Sequence, residues 1–304
     1  MSRKTEGLIA APFTAFHQDG SLDLSVIQRQ AEGLVRAGVR GAFICGTTGE
    51  SLSLTLDERR LVAQRWVEVA GSELTIIVHT GHNCLSDARA LAQHAQEIGA
   101  AATGAFGPGY FRPSCLADLV EWCAAVAGGA PNIPFYYYHI PSLTGLHFSM
   151  PGLLTAAAGR IANLGGLKFT HENMMEYSQA LAAVGGRYDV LFGRDEALLS
   201  ALAVGARGAV GSTYNYSAPV YLRVMEAFDA GRMDDARRHQ AKAVEFIDLL
   251  IEYGGLPAGK AIMKMSGVDC GPVRLPLRSL DDEQYRRLHD RLDAAGFFAL
   301  QKLA

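Results

Sequence analysis

Eight short apolar runs, at residues 8–13, 41–45, 74–79, 101–106, 133–138, 164–169, 188–192 and 208–211, alternate along this chain with longer amphipathic stretches. Runs of that length read as strands, and the stretches between them carry helical periodicity. Ile27, Ala31 and Leu34 fall at i, i+4 and i+7 on one face, with Gly38 as the stop signal. Thr55 and Glu58 form a capping box ahead of Val62, Trp66 and Val69. Ala88, Ala92 and Ala95 repeat the spacing before Gly99, and Ser149 followed by Pro151 opens a further helix.

Strands separated by helices, with no polar linker between them, point to parallel βαβ units. They could close into a (β/α)8 TIM barrel or stay open as a doubly wound sheet. The unbroken repeat favours the barrel, which also gathers residues from the ends of many strands at one face. No GxGxxG fingerprint follows the first run, so a dinucleotide fold has little support. From about residue 219 to 298 the pattern is all helical. The expected organisation is therefore an α/β barrel over residues 1–215, with a C-terminal helical extension over 216–304 packed on it.

Charge narrows the function. The formal net charge of the 304 residues is −3 and the basic residues are dispersed, which gives no footprint for nucleic acid or an anionic membrane. No apolar stretch is long enough to span a bilayer, and residues 1–7 lack the apolar core of a signal peptide. Cys45, Cys84, Cys115, Cys123 and Cys270 are scattered without a CxxC pair, the usage of a reducing, cytoplasmic compartment. Cys45 reads as a structural thiol, not a reactive one.

The candidate chemistry sits where the runs end. Lys168, in Gly166-Leu167-Lys168-Phe169-Thr170, would carry an amine into the barrel, where desolvation disfavours the ammonium and favours the nucleophilic amine. Alone, such a lysine is more often a snorkelling strand end or a salt-bridge partner. Its companions change that weighting. Gly46-Thr47-Thr48-Gly49-Glu50 is a tight turn whose N–H groups and Thr hydroxyls could hold a carboxylate, although most Gly-Thr turns are only structural. Tyr138 ends the fifth run about one strand repeat before Lys168, within reach of the same face, where a phenol can relay a proton. Alternation sends Tyr136 and Tyr138 to one side and Tyr137 to the other. Gly193-Arg194-Asp195-Glu196 and Gly211-Ser212-Thr213 offer carboxylates and a hydroxyl for a polyhydroxylated chain, or merely charge at a helix N-terminus. His79, His82, His139 and His171 show no metal-ligand spacing.

Together these residues resemble the N-acetylneuraminate lyase branch of the dihydrodipicolinate synthase/N-acetylneuraminate lyase superfamily of class I aldolases. The likeness spans essentially the whole barrel. It is densest at Gly46-Thr47-Thr48-Gly49-Glu50, at Phe135-Tyr136-Tyr137-Tyr138-His139-Ile140-Pro141, at Gly166-Leu167-Lys168 and at the segment 208–215. The resemblance implies an imine between Lys168 and the keto carbon of a sialic acid or pyruvate, with Thr47 and Thr48 on the carboxylate and Tyr138 moving a proton. It implies that Thr170, Gly193, Asp195, Glu196 and Ser212 hold the sugar's hydroxylated tail, and that Tyr110 lies near a neighbouring subunit's site. No metal and no organic cofactor are implied, because the iminium itself withdraws electrons. A homotetramer is implied, with small molecules as the partners. Dihydrodipicolinate synthases usually carry Arg after the Pro-Ser of the fifth segment; Leu143 stands there, which disfavours an amino-aldehyde acid as substrate. Residues 103–109 are Gly-rich where relatives carry a more apolar strand. Competing readings are another pyruvate-dependent aldolase or dehydratase of keto-deoxy sugar acids, and a non-catalytic barrel that binds sugar acids.

Overall fold

The computed structural model describes residues 4–301. Among them, eight parallel strands close into a barrel in sequence order: β1 (Gly7–Ala10), β2 (Gly41–Ile44), β3 (Thr75–His79), β4 (Ala102–Ala105), β5 (Phe135–His139), β6 (Leu164–Phe169), β7 (Asp189–Phe192) and β8 (Gly208–Gly211). The seam is the pairing of β8 with β1, where Val210 faces Ile9. Helices α1 (Val26–Arg36), α2 (Leu56–Ala70), α3 (Leu85–Glu97), α4 (Leu116–Ala127), α5 (Pro141–Thr144), α6 (Met150–Ala157), α7 (Met174–Gly186), α8 (Leu198–Ala203) and α9 (Tyr214–Asp229) fall between or after the strands. Then come α10 (Met233–Glu252), α11 (Leu256–Met265), α12 (Asp282–Ala294) and α13 (Phe297–Gln301). This is the (β/α)8 barrel with following helices.

The helix signals act locally as expected. Thr55 Oγ1 accepts from the Glu58 amide at 3.2 Å, and the Glu58 carboxylate accepts from the Thr55 amide at 2.8 Å. Ser149 caps α6 by accepting from Gly152 N at 3.3 Å. The last helical run begins earlier than residue 219: α9 starts at Tyr214 and carries Pro219 inside it. A proline at that position forgoes its own backbone bond and brings its ring toward the carbonyl four residues earlier, yet the helix runs through it. The first apolar run ends as a strand at Ala10, two residues before Pro12, which has no N–H for a ladder.

Alternation along the strands builds two layers. Ile9, Phe43, Ile77, Tyr136, Tyr138, Leu191 and Val210 pack together inside the barrel. Leu8, Val78, Tyr137, Leu167 and Phe169 pack outward with the helices. The Gly-rich fourth strand has a steric reason: a Cβ on Gly104 would lie 2.9 Å from the Phe43 ring. The large aromatic on β2 occupies the lumen that β4 leaves vacant.

His139, next to Tyr138, points the other way. It is buried, neither ring nitrogen has a partner, and it stacks on His171 with ring centroids 5.7 Å apart. Burial first, then the neighbouring His171 and His147, pushes its pKa down to about 3. Between pH ~6.5 and ~3 the unfolded chain therefore takes up a proton that the folded chain refuses, so stability falls as pH falls through that window. We expect His139→Phe to lose about 2 kcal/mol less than the parent between pH ~7 and ~4.5, measured by urea unfolding. Parallel pH profiles for the two proteins would show that His139 is not the group responsible.

Candidate active site

The turn after β2 is built under tension. Cys45 and Glu50 bracket it, both with φ of 55°, a region that L side chains rarely occupy. The Cys45 carbonyl accepts from His79 Nδ1 at 3.0 Å, which fixes the proton on that nitrogen and leaves Nε2 bare and without a partner. Burial first, then the charges of Arg59 and Lys168, holds His79 neutral, its pKa well below the ordinary imidazole range. Cys45 is a buried thiol pushed up to about 11, again by burial, so it has no thiolate character. Thr14 Oγ1 donates to the Gly49 carbonyl at 2.7 Å. The result leaves Thr47 and Thr48 facing open space at the mouth of the barrel.

Lys168 projects into that space from β6. Its Cα is opposite Tyr138 on β5 and Leu191 on β7, which confirms the adjacency of the two strands. The side chain is buried, at 4% exposure, and makes no hydrogen bond or ion pair among the described residues. Its Nζ lies 4.0 Å from the centroid of the Tyr138 ring and 4.1 Å from that of Phe43. Tyr138 is itself buried, with its hydroxyl 3.3 Å from Thr47 Oγ1. An amine, a phenol and a threonine hydroxyl thus form one connected group with no carboxylate paired to the amine.

The far wall comes from the segments that follow β7 and β8 and from α10. Asp195, buried, accepts at Oδ2 from the Thr213 amide at 3.0 Å and from Thr213 Oγ1 at 2.6 Å. Thr213 Oγ1 also lies 2.7 Å from the Tyr221 hydroxyl; with its one proton given to the carboxylate, it accepts from Tyr221. Burial pushes Asp195 up to about 6 despite the Thr213 hydrogen bonds that oppose the shift. Glu196 pairs with Arg194 at 2.7 Å. Close approach explains two glycines here: a Cβ on Gly193 would lie 2.0 Å from Thr170 Oγ1, and one on Gly211 equally close to Asp195 Oδ1. The Thr170 hydroxyl is buried and unpartnered.

A cavity of roughly 240 Å³ brings together Thr47, Thr48, Tyr138, Lys168, Thr170, Gly193, Asp195, Glu196 and Ser212. Tyr110 is not among its lining residues. It is 80% exposed and lines an adjoining cleft of roughly 410 Å³, which shares Thr47 with the first. Sequence reasoning left five contributing residues unassigned. Arg194 lines the cavity and faces Glu196, and could have been suspected from the Gly193-Arg194-Asp195-Glu196 run. Ile247, Leu250 and Ile251 of α10 form an apolar wall, for which the sequence holds only the general signal of an amphipathic helix. Asn215 ties the ends of β8 and β1 by donating to the carbonyls of Ser212 and Ala11, both at 2.7 Å.

Comparison with known proteins bears on this arrangement. The model of the dihydrodipicolinate synthetase family matches residues 4–295. An N-acetylneuraminate lyase of Xenopus tropicalis is 42% identical over 281 residues, covering 91% of this chain and 92% of that one. Its human counterpart is 38% identical over 306 residues, covering 99% and 96%. Among solved structures, the N-acetylneuraminate lyase of Proteus mirabilis superposes with a TM-score of 0.95 at 43% identity, covering 97% of this chain and 100% of that one. The N-acetylneuraminate lyase (sialic acid aldolase) of Aliivibrio salmonicida gives 0.95 at 42% identity, covering 97% and 98%.

Proposed function

Because the chain belongs to the dihydrodipicolinate synthetase family, we propose that it is a class I aldolase that reversibly cleaves N-acetylneuraminate to pyruvate and N-acetyl-D-mannosamine. Lys168 Nζ attacks the C2 carbonyl and, with loss of water, forms a protonated imine. Thr47 and Thr48 hold the adjacent carboxylate through hydroxyl and backbone donors. Tyr138 removes the proton of the C4 hydroxyl, directly or through that carboxylate. The C3–C4 bond then breaks, its electron pair flows into the iminium, and the sugar leaves as an aldehyde. The enamine that remains takes a proton at C3, and water releases pyruvate from the lysine.

The observation that carries this reading is the position of the Lys168 amine. It is buried beside a phenol and a threonine hydroxyl in a cavity whose opposite wall offers Thr170, Asp195, Glu196 and Ser212. A cavity with a nucleophile at one end and acceptors and donors at the other suits a long hydroxylated keto acid better than a short one. Gly193 belongs to the same wall by leaving room for Thr170. The deciding experiment is a coupled assay for pyruvate release across sialic acids and shorter keto-deoxy sugar acids. N-acetylneuraminate should be turned over fastest; faster turnover of a short keto-deoxy acid would replace this substrate with a rival one.

A homotetramer in the cytoplasm, acting in sialic acid catabolism, completes the proposal. The rim of the larger cleft supports association, since Tyr110, Leu143, Leu52 and Leu277 expose apolar surface beside Thr47 and Phe111 lies next to Tyr110. Tyr110 then contributes near a neighbouring subunit's site. The five free cysteines fit a reducing compartment, and no helix among the described residues is long and apolar enough to cross a membrane. Light scattering after size exclusion checks the assembly: a monomer mass would remove both the tetramer and the role for Tyr110.

A further inference from the structure

The turn bearing Thr47 and Thr48 is gripped from outside the cavity. Of its two left-handed residues, Glu50 is the more conspicuous, because it does not line the cavity around Lys168 and its carboxylate is buried against Lys260. Glu50 Oε1 lies 2.8 Å from Lys260 Nζ, and Glu50 Oε2 accepts from the Arg274 amide at 2.9 Å. Lys260 is carried by α11. It also donates to the Pro272 carbonyl at 2.6 Å and sits 4.3 Å from the centroid of the Phe16 ring. Side-chain exposure is only 3% for Lys260 and 2% for Glu50. A buried ion pair is weak support for stability, since desolvation of both charges offsets their attraction. Its presence here therefore calls for another explanation.

The backbone supplies one. The Glu50 amide donates to the Thr47 carbonyl at 3.0 Å, and the next amide, Ser51, donates to the Gly46 carbonyl at 3.2 Å. The conformation of Glu50 is thus coupled directly to the peptide units that present Thr47 and Thr48. An L residue keeps left-handed backbone only where its surroundings hold it there.

We infer that Lys260 is a positioning residue: from the C-terminal extension it clamps Glu50 in the left-handed conformation, and so keeps the Thr47–Thr48 turn shaped for the carboxylate of a keto acid. This rests on the reading of that turn as the carboxylate site. The extension thereby sets affinity for the keto acid and leaves carbon–carbon bond breaking to Lys168 and Tyr138.

Two double variants test it without leaving a lone buried charge. Glu50→Gln/Lys260→Met removes the clamp and keeps a residue that resists positive φ. Glu50→Gly/Lys260→Met removes the clamp and the resistance together. The readout is borohydride trapping of pyruvate on the enzyme, with kcat and KM for cleavage measured alongside. The glutamine variant should need about ten-fold more pyruvate for half-maximal trapping with kcat within about three-fold of the parent, and the glycine variant should recover most of that loss. A glutamine variant that traps pyruvate like the parent overturns the inference. So does a glycine variant weakened as much as the glutamine variant. Failure of the parent itself to trap pyruvate would instead sink the aldolase reading on which the clamp rests.

Discussion

Lys168→Ala abolishes carbon–carbon cleavage, with kcat reduced by about 10⁴-fold or more, while the protein remains folded. The fold survives because Lys168 forms no ion pair or hydrogen bond that its removal would leave incomplete. The reaction does not, because the proposed mechanism offers no second group to make the imine. Borohydride with pyruvate gives a stable adduct on the parent, and peptide mapping assigns it to Lys168; the variant gives none. Lys168→Met, which fills more of the space between Phe43 and Tyr138, should behave in the same way. Measurable turnover in either variant, or an adduct on another lysine, would remove the amine from its assigned role. Lys260 is the instructive control. It is equally buried but already engaged with Glu50, so it should not be trapped.

Tyr138→Phe should separate binding from bond breaking. The ring stays over the Lys168 amine while the hydroxyl that contacts Thr47 is lost. Pyruvate should still be trapped on Lys168, while cleavage falls by about 10³-fold, the usual size of a lost general acid–base group. The fall should lie in kcat more than in KM, because the proton moves only as the bond breaks. If cleavage in this variant stays within about ten-fold of the parent, the proton must leave by another route. If trapping is lost as well, the phenol serves imine formation instead.

The barrel and the reacting end of the cavity were legible in the sequence because their signals are local. Strand alternation alone puts Tyr136 and Tyr138 on one face and Tyr137 on the other, as the two packing layers have them, and one strand repeat brings Tyr138 level with Lys168. The Thr55–Glu58 box marks a helix start three residues across. What stayed hidden was long-range. Nothing near Glu50 announces that its partners are Lys260 and Arg274, and nothing near Asp195 announces Thr213. Pro219 misled for a related reason. Read locally it suggests a helix start, yet α9 begins at Tyr214 and runs through it. The Gly-rich segment 103–109 carried no local hint that Gly104 makes room for Phe43, which fills the lumen from two strands away.

The cavity draws its two ends from different stretches of chain. Thr47 and Thr48 follow β2, and Tyr138 and Lys168 lie on β5 and β6, whereas Asp195, Glu196, Ser212, Ile247, Leu250 and Ile251 follow β7 and β8 or belong to α10. Such a layout lets the menu evolve independently of the knife. Loops after the last two strands, and one face of a single helix, can drift toward another sugar acid while the machinery that cuts stays untouched.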